Sequence, residues 1–427
     1  MNFKLAVVGM GRIGLPLAIS FARKGVRVVG VEKQKKILEI LNSGNTPFYE
    51  PEMESGLIEC VKSGRLTFEF DSNFRFGDYN INVVAVGTPL KENLLPEMSS
   101  ILEVISKIAD SASDNSIIIL RSTLVPGITE SQILPRVMRS KSSLKLAVCP
   151  ERVVEGNAMK EIAELPEIVG VNDRRVGDLV RELFLLLGPK DISITQIRVA
   201  EAVKIFTNVY RYVSFALANE FALISEKLSI DSAEAINLAN KGYPRSSIPL
   251  PGPAAGPCLR KDGLFLSNLS AVNLTKVAWL LNEHLPSHII ETIERTYGSL
   301  CDRKVGVLGK AYKANVDDTR DSPALRLIAE LETKGSRVLT FDPYTQNDYT
   351  LKEILESEVV ILAVNHSYFE KITASMLKGS KLVYDAWGLF SKLCLEEYGV
   401  TYMSLGNGAL PNRIPNPLSG EPIKTVQ

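Results

Sequence analysis

A chain of 427 residues has room for two to three domains at roughly 150 residues each. Hydrophobic residues make up 45% and charged residues 23%, the balance of a globular protein rather than a disordered or fibrous one. Lys+Arg and Asp+Glu both number 49, so the chain lacks the positive surplus on which binding to nucleic acid or an anionic membrane leans.

The first half alternates short β-rich runs with helical patterns. Residues 3–8, 26–31, 81–86, 117–120 and 144–148 read as strands, with helical stretches such as 15–24 and 101–112 between them. The strands are continuous apolar runs, as expected of a parallel sheet buried on both faces, and the rhythm is that of a doubly wound βαβ domain. From 197 to 228 the pattern becomes one long helix. A Gly/Pro-rich loop at 242–257 follows, then a second helical segment at 271–297. Strand runs return at 304–308, 336–341, 358–364 and 381–384. The helix after 320 has Asp321 or Ser322 as N-cap and Pro323 in its first turn. The Pro- and Gly-rich tail after 406 reads as irregular. The expected fold is α/β: two Rossmann-like doubly wound parallel-sheet domains, 1–190 and 298–427, joined by a central helical region, 191–297. The active site is expected in the cleft between them.

No apolar run approaches the about 18 residues of a membrane span. The amino terminus runs into glycines without a signal peptide's apolar core, so a cytoplasmic protein is expected. Five cysteines form no CxxC pair and there are three histidines, which argues against a zinc site or a His-centred triad.

Gly9, Gly11 and Gly14 form GMGRIG after the first strand and at the start of a helix. Gly9 allows the tight turn, Gly11 lets the backbone approach a pyrophosphate, and Gly14 lets helix and strand pack closely. Glu32 ends the second strand 21 residues after Gly11, where an acid accepts from a ribose 2′-OH and repels a 2′-phosphate. A nicotinamide or flavin dinucleotide fits this pattern. Gly87-Thr88 and Ser122-Thr123 end two further strands on the same rim; they are either loop punctuation or ligand contacts.

Cys258 lies between PGPAAGP and Leu-Arg-Lys-Asp. Adjacent cations, and a helix N-terminus if one begins here, would favour a nucleophilic thiolate. The other four cysteines, Cys60, Cys149, Cys301 and Cys394, read as buried hydrophobes. Lys204, Asn208 and Arg211 share one face of the long helix, either as a solvated stripe or as a site. Glu151 and Glu155 straddle the turn PERVVEG at a strand's carboxyl end, as two reactive carboxylates or as surface salt bridges.

These residues resemble the UDP-glucose/GDP-mannose dehydrogenase family, enzymes that oxidise nucleotide sugars at C6. The motifs that carry the resemblance are GMGRIGLPLA, VAVGTPL, STLVPG, PERVVEGNA, AEAVKIFTNVYR, PGPAAGPCLRKD and GKAYKANVDDTRDSPA, in order along nearly the whole chain. The resemblance implies NAD as cofactor, held by Gly9, Gly11, Arg12, Ile13, Gly14, Glu32, Gly87, Thr88, Ser122, Thr123 and Arg320. It implies a four-electron oxidation through a thiohemiacetal and a thioester on Cys258. Lys204 would stabilise the oxyanion, with Asn208 and Asp262 in support. Glu151 and Glu155 lie in the segment that activates water, beside Thr123. Arg152, Val153, Lys204, Asn208, Arg211, Tyr243, Arg245, Gly252, Gly256, Tyr312 and Lys313 would meet a UDP-sugar.

Within the family the chain resembles the UDP-N-acetylhexosamine 6-dehydrogenases more than the UDP-glucose enzymes. It has PERV in place of PEFL, Arg211 three residues after Asn208, and Tyr243-Pro244-Arg245 like the HPR motif that reaches a neighbouring subunit's substrate. It has GPAAGPC where that group typically has GPGVGGHC, and Glu155 where that group often has proline. UDP-glucose therefore stays open as substrate, and so does a binding protein without turnover. A homodimer is expected, with neither nucleic acid nor a membrane as partner.

Overall fold

A computed structural model describes residues 3–141, 143–266, 274–391 and 393–407. The chain divides into two compact units, one made of residues 1–208 with 264–268 and the other of 209–263 with 269–427.

The first unit is built on an eight-stranded sheet: β1 Lys4–Val8, β2 Arg27–Glu32, β3 Leu66–Phe70, β4 Ile81–Val84, β5 Ile117–Leu120, β6 Lys145–Val148, β7 Glu167–Gly170 and β8 Ile192–Thr195. Their order is β3-β2-β1-β4-β5-β6-β7-β8, parallel throughout except for the β6–β7 pair. Consecutive side chains of β1 go to opposite faces. Leu5 and Val7 join one hydrophobic cluster, and Ala6 and Val8 join the other. This two-sided burial is why the strands read as unbroken apolar runs, each such side chain contributing roughly 1.5–3 kcal/mol. Chain direction across the sheet reverses between β1 and β4, the switch point at which open α/β sheets bind ligands.

The second unit holds a five-stranded parallel sheet: β9 Lys304–Leu308, β10 Arg337–Phe341, β11 Val359–Leu362, β12 Leu382–Asp385 and β13 Thr401–Ser404, ordered β10-β9-β11-β12-β13. It too is covered on both faces, with Val359 and Ile361 in one cluster and Val360 and Leu362 in the other.

The long helix runs over Ile197–Leu228, 32 residues or about 48 Å. The second helical segment runs over Leu274–Tyr297. Ser322 rather than Asp321 caps the helix Pro323–Thr333, its side chain accepting from the Ala324 N–H. Four strands escape a reading of apolar runs: β3, β7, β8 and β13. Two of the cysteines read as buried are not. Cys60 and Cys149 are buried, whereas Cys301 and Cys394 are exposed because both lie in surface turns beyond strand or helix. The expected irregular tail lies outside the described residues from 408 onward. Among the described residues, no helix is long and apolar enough to cross a membrane.

Candidate active site

In the first unit the glycine turn has the form its spacing predicts. Gly9 has φ +94°, and a Cβ there would sit 2.9 Å from the Ala85 carbonyl oxygen. A Cβ on Gly14 would lie 1.9 Å from the Gly9 carbonyl oxygen, so close packing forbids a side chain. A Cβ on Gly11 would meet nothing within 4 Å, which leaves its backbone open to a phosphate. Ile13 precedes the helix Gly14–Arg23 and supplies no capping side chain. Glu32 is buried at the end of β2. It accepts from the Met10 N–H on one oxygen and from the Lys33 and Gln34 N–H groups on the other, all at 2.9 Å. Its carboxylate is thereby fixed beside the glycine turn, with lone pairs left for a ribose hydroxyl. These features fit a dinucleotide.

The neighbouring rim loops are stitched together. The Thr88 hydroxyl donates to the Thr123 carbonyl at 2.8 Å, and the Ser122 hydroxyl to the Val86 carbonyl at 2.7 Å. Gly87 stands exposed between them.

The two carboxylates of the PERVVEG turn differ. Glu151 is buried. One oxygen accepts from the Arg152 and Val153 N–H groups at 2.8 and 3.1 Å, and the other takes the Arg121 guanidinium. Burial works to raise its pKa, but Arg121 and the two N–H groups outweigh burial and hold it below the ordinary carboxylate value. Surface salt bridging does not describe it. Glu155 instead faces Arg12, 3.7 Å away, and Arg12 lies over the Phe48 ring at 4.8 Å. The Arg152 side chain donates to the Pro166 carbonyl, and Val153 packs against the core. Glu50 closes the turn from outside, accepting from the Gly156 and Ala158 N–H groups at 2.8 and 2.7 Å.

On the long helix, Lys204 is 9% exposed and Asn208 6% exposed, so they are not a solvated stripe; Arg211, one turn on, is exposed. One turn before Lys204, Glu201 accepts from the Gly127 and Thr129 N–H groups, which ties this helix to the STLVPG loop.

In the second unit Cys258 is exposed and directly precedes the helix Leu259–Leu266. The Asp262 N–H donates to the Cys258 carbonyl at 3.0 Å, so the sulfur sits at a helix N-terminus, where the helix dipole favours an anion. Asp262 is fully buried and takes the Lys261 ammonium at 3.1 Å. The loop before the cysteine is clamped. Asn219 accepts from the Gly252 N–H at 2.8 Å and donates to the Gly252 carbonyl at 3.1 Å. Gly252 lies against the Trp387 ring, where a Cβ would come within 2.4 Å, and Gly256 against the Tyr312 ring at 2.3 Å. Both glycines are therefore required by packing.

Arg320 is gripped by Asp318, with Nε and Nη2 donating at 2.9 and 2.6 Å. Lys313 is half-buried on the same loop. Tyr243 and Arg245 stand exposed on a loop stapled by Asn240, which accepts from the Ile248 N–H and the Ser246 hydroxyl. Arg245 stacks on Tyr243 and donates to its hydroxyl at 2.9 Å. Among the described residues, no cluster of His, Cys, Asp and Glu could hold a metal ion.

Sequence reasoning missed Arg121, Glu50, Glu201, Asn219 and Trp387. Only Glu201 and Asn219 had a signal, since each is a polar residue set among mostly apolar neighbours on the long helix.

Comparison with known proteins shows the family. The NAD binding domain of the UDP-glucose/GDP-mannose dehydrogenase family matches residues 3–187, its central domain 198–283 and its UDP binding domain 306–392. A UDP-N-acetyl-D-mannosamine dehydrogenase of Pyrococcus horikoshii is 31% identical over 423 residues, covering 95% of this chain and 99% of that protein. One from Methanococcus aeolicus is 31% identical over 424 residues, covering 95% of each. The solved structure of the UDP-D-ManNAc dehydrogenase from Pyrococcus horikoshii superposes with a TM-score of 0.88 at 30% identity, over 96% of this chain and 100% of that one. The chain belongs to the UDP-glucose/GDP-mannose dehydrogenase family, NAD-dependent oxidoreductases of nucleotide sugars.

Proposed function

We propose that the protein is a UDP-sugar 6-dehydrogenase that oxidises the C6 alcohol of a UDP-N-acetylhexosamine to the carboxylate, UDP-ManNAc being preferred over UDP-GlcNAc. The reading is carried by Cys258, an exposed thiol delivered to a helix N-terminus by a clamped Gly/Pro loop, in a chain whose full-length relatives include UDP-N-acetyl-D-mannosamine dehydrogenases. Residues 1–190 would hold the cofactor, 191–297 the thiol and 298–427 the uridine diphosphate.

Gly9, Gly11, Arg12, Ile13, Gly14, Glu32, Gly87, Thr88, Ser122, Thr123 and Arg320 would hold NAD+. Bound NAD+ supplies the hydride acceptor, two molecules for each sugar oxidised. The Cys258 thiolate adds to the C6 aldehyde to give a thiohemiacetal, and loss of the second hydride leaves a thioester. Lys204 balances the charge on the oxygen at C6, with Asn208 and Asp262 in support. Water then cleaves the thioester, releasing the carboxylate and regenerating the thiol. Glu155 takes the proton from that water, while Glu151 is held in place by Arg121, Arg152 and Val153. Thr123 lies on the same rim. Arg152, Val153, Arg211, Gly252, Gly256, Tyr312 and Lys313 bind the UDP-sugar.

A homodimer completes the site through the partner copy's Tyr243 and Arg245. The long helix supports this with an exposed apolar stripe of Val199, Phe206, Tyr210, Leu217 and Ile224. A reactive thiol and a consumed pool of NAD+ fit the cytoplasm. The test is a panel of UDP-sugars with NADH as readout. Each sugar should yield two NADH, Cys258→Ala should form no uronate, and UDP-N-acetylhexosamines should exceed UDP-glucose in kcat/KM by on the order of a hundredfold. UDP-glucose as the best substrate would overturn the assignment and favour the glucuronate reading.

A further inference from the structure

Beneath the PERVVEG turn lies a buried ionic cluster that the proposed chemistry does not use. Arg121 directly follows β5 and precedes Ser122 and Thr123. Its Nη1 donates to Glu167 on β7 at 2.8 Å, its Nη2 donates to Glu151, and its guanidinium lies over the Phe184 ring at 5.0 Å. Lys190 approaches Glu167 at 3.8 Å and the same ring at 5.5 Å. The side chains of Arg121 and Lys190 are each 2% exposed, and those of Glu151 and Glu167 8% and 7%.

Isolated charges of this kind cost several kcal/mol to bury, so the cluster persists only because each member has a partner. The planar fork of Arg121 spans two carboxylates with separate nitrogens in a fixed geometry, which a compact, freely rotating ammonium does not impose. The chain of contacts then runs in one direction. Arg121 holds Glu151, and Glu151 holds the backbone N–H groups of Arg152 and Val153. On its other side Arg121 is covalently next to Ser122, whose neighbour Thr123 is bonded to Thr88.

We propose that Arg121 is a positioning residue, which through Glu151 sets the spacing between the Ser122–Thr123 rim and the Arg152–Val153 turn. The proposal rests on the assignment of those two segments to cofactor and substrate. Glu151 belongs to this tether, and it aligns the turn rather than taking a proton. Burial pushes Glu167 upward against the pull of Arg121, and the adjacent Glu151 charge adds to the rise, whereas Arg121 and the two N–H groups hold Glu151 down.

The experiment compares Arg121→Met, Arg121→Lys, Glu151→Gln and Phe184→Leu in the full-length protein. Phe184→Leu loosens the same corner of the core and leaves the fork intact. Hydrogen exchange of the peptide covering 149–157 is read without substrate, NAD+ binding by calorimetry, and turnover by NADH release. In Arg121→Met and Glu151→Gln the peptide should exchange faster and kcat should fall by roughly a hundredfold, the loss typical of a displaced reacting group. Arg121→Met should also move the acid limb of the kcat profile to higher pH, because a buried Glu151 without its guanidinium rises. Arg121→Lys should recover part of both losses, and Phe184→Leu should lower the melting temperature while leaving exchange and kcat near wild type.

Unchanged exchange in Arg121→Met overturns the tether. An equal loss of kcat in Phe184→Leu overturns the positioning role in favour of plain stability. If the wild-type protein oxidises no UDP-sugar, the functional reading falls, while exchange and NAD+ binding still decide whether the tether exists.

Discussion

The two units begin with the same turn and put it to different use. Gly9 follows β1 with φ +94°, and Gly309 follows β9 with φ +93°. Each glycine N–H donates at 2.8 Å to the neighbouring strand, Gly9 to Val31 and Gly309 to Phe341. The residue after each glycine donates to an acid at that strand's end, Met10 to Glu32 and Lys310 to Asp342. From there they diverge. In the first turn the next residue is Gly11, open to solvent, and a helix starts at Gly14. In the second it is Ala311, fully buried, and no helix starts before Pro323. The second acid is also occupied: Asp342 is fully buried and lies 3.1 Å from His366 Nε2, while His366 Nδ1 accepts from the Asn315 N–H at 2.9 Å. One sheet edge thus leaves its acid and glycine for a ligand. The other consumes both internally, and the freed stretch between Gly309 and Pro323 becomes the loop that carries Tyr312, Lys313 and Arg320.

Four changes sharpen that contrast. The largest effect is expected from Gly309→Ala. Its Cβ would lie 2.4 Å from the Val364 Cβ in a left-handed conformation, for a loss of about 3 kcal/mol by urea denaturation. Gly9→Ala, facing a contact of 2.9 Å, should cost less stability and more NAD+ affinity.

Next comes Asp342. Burial raises its carboxyl, but His366 and the Lys310 and Tyr344 N–H groups outweigh burial and hold it below the ordinary value of 3.8. A depressed folded-state pKa contributes stability above the unfolded value, lost as pH falls through the folded one. The protein should therefore lose stability progressively below about pH 4. Asp342→Asn should flatten that limb and cost about 2 kcal/mol at neutral pH, with NAD+ affinity unchanged. A fall in NAD+ affinity would break the comparison.

The smallest effect is expected from Glu32→Gln. The wild-type preference for NAD+ over NADP+ should be roughly tenfold or more, about 1.4 kcal/mol, and the variant should lose most of it in kcat/KM. Equal use of both cofactors by the wild type would remove Glu32 from cofactor choice.

Much of this was legible in the sequence because it is local. The GMGRIG turn, Glu32 at its spacing, the buried strands and the long helix all depend on neighbours within a few turns. The strands that escaped are the edge strands β3, β8 and β13 and the antiparallel-paired β7. β3 alternates buried and exposed residues, and β7 joins the sheet in the opposite direction. Arg121 was invisible for a different reason. Its partners are 30 and 46 residues away, and a cation ending an apolar run looks like a strand meeting solvent. His366 and Asp342, 24 residues apart, were hidden in the same way.

The clamp on Gly252 has its own consequence. Between Pro251 and Pro253, Gly252 holds an amide hydrogen that its flanking prolines lack. Asn219 meets both that hydrogen and the adjacent carbonyl, so its side-chain amide stands in for the edge of a neighbouring strand. A loop too rich in proline to join any sheet is thereby paired along a ladder one rung long, and that rung is lent by a helix. The register of the thiol loop is thus read off the rotation of that helix, and a quarter turn of it at Asn219 would carry the rung away.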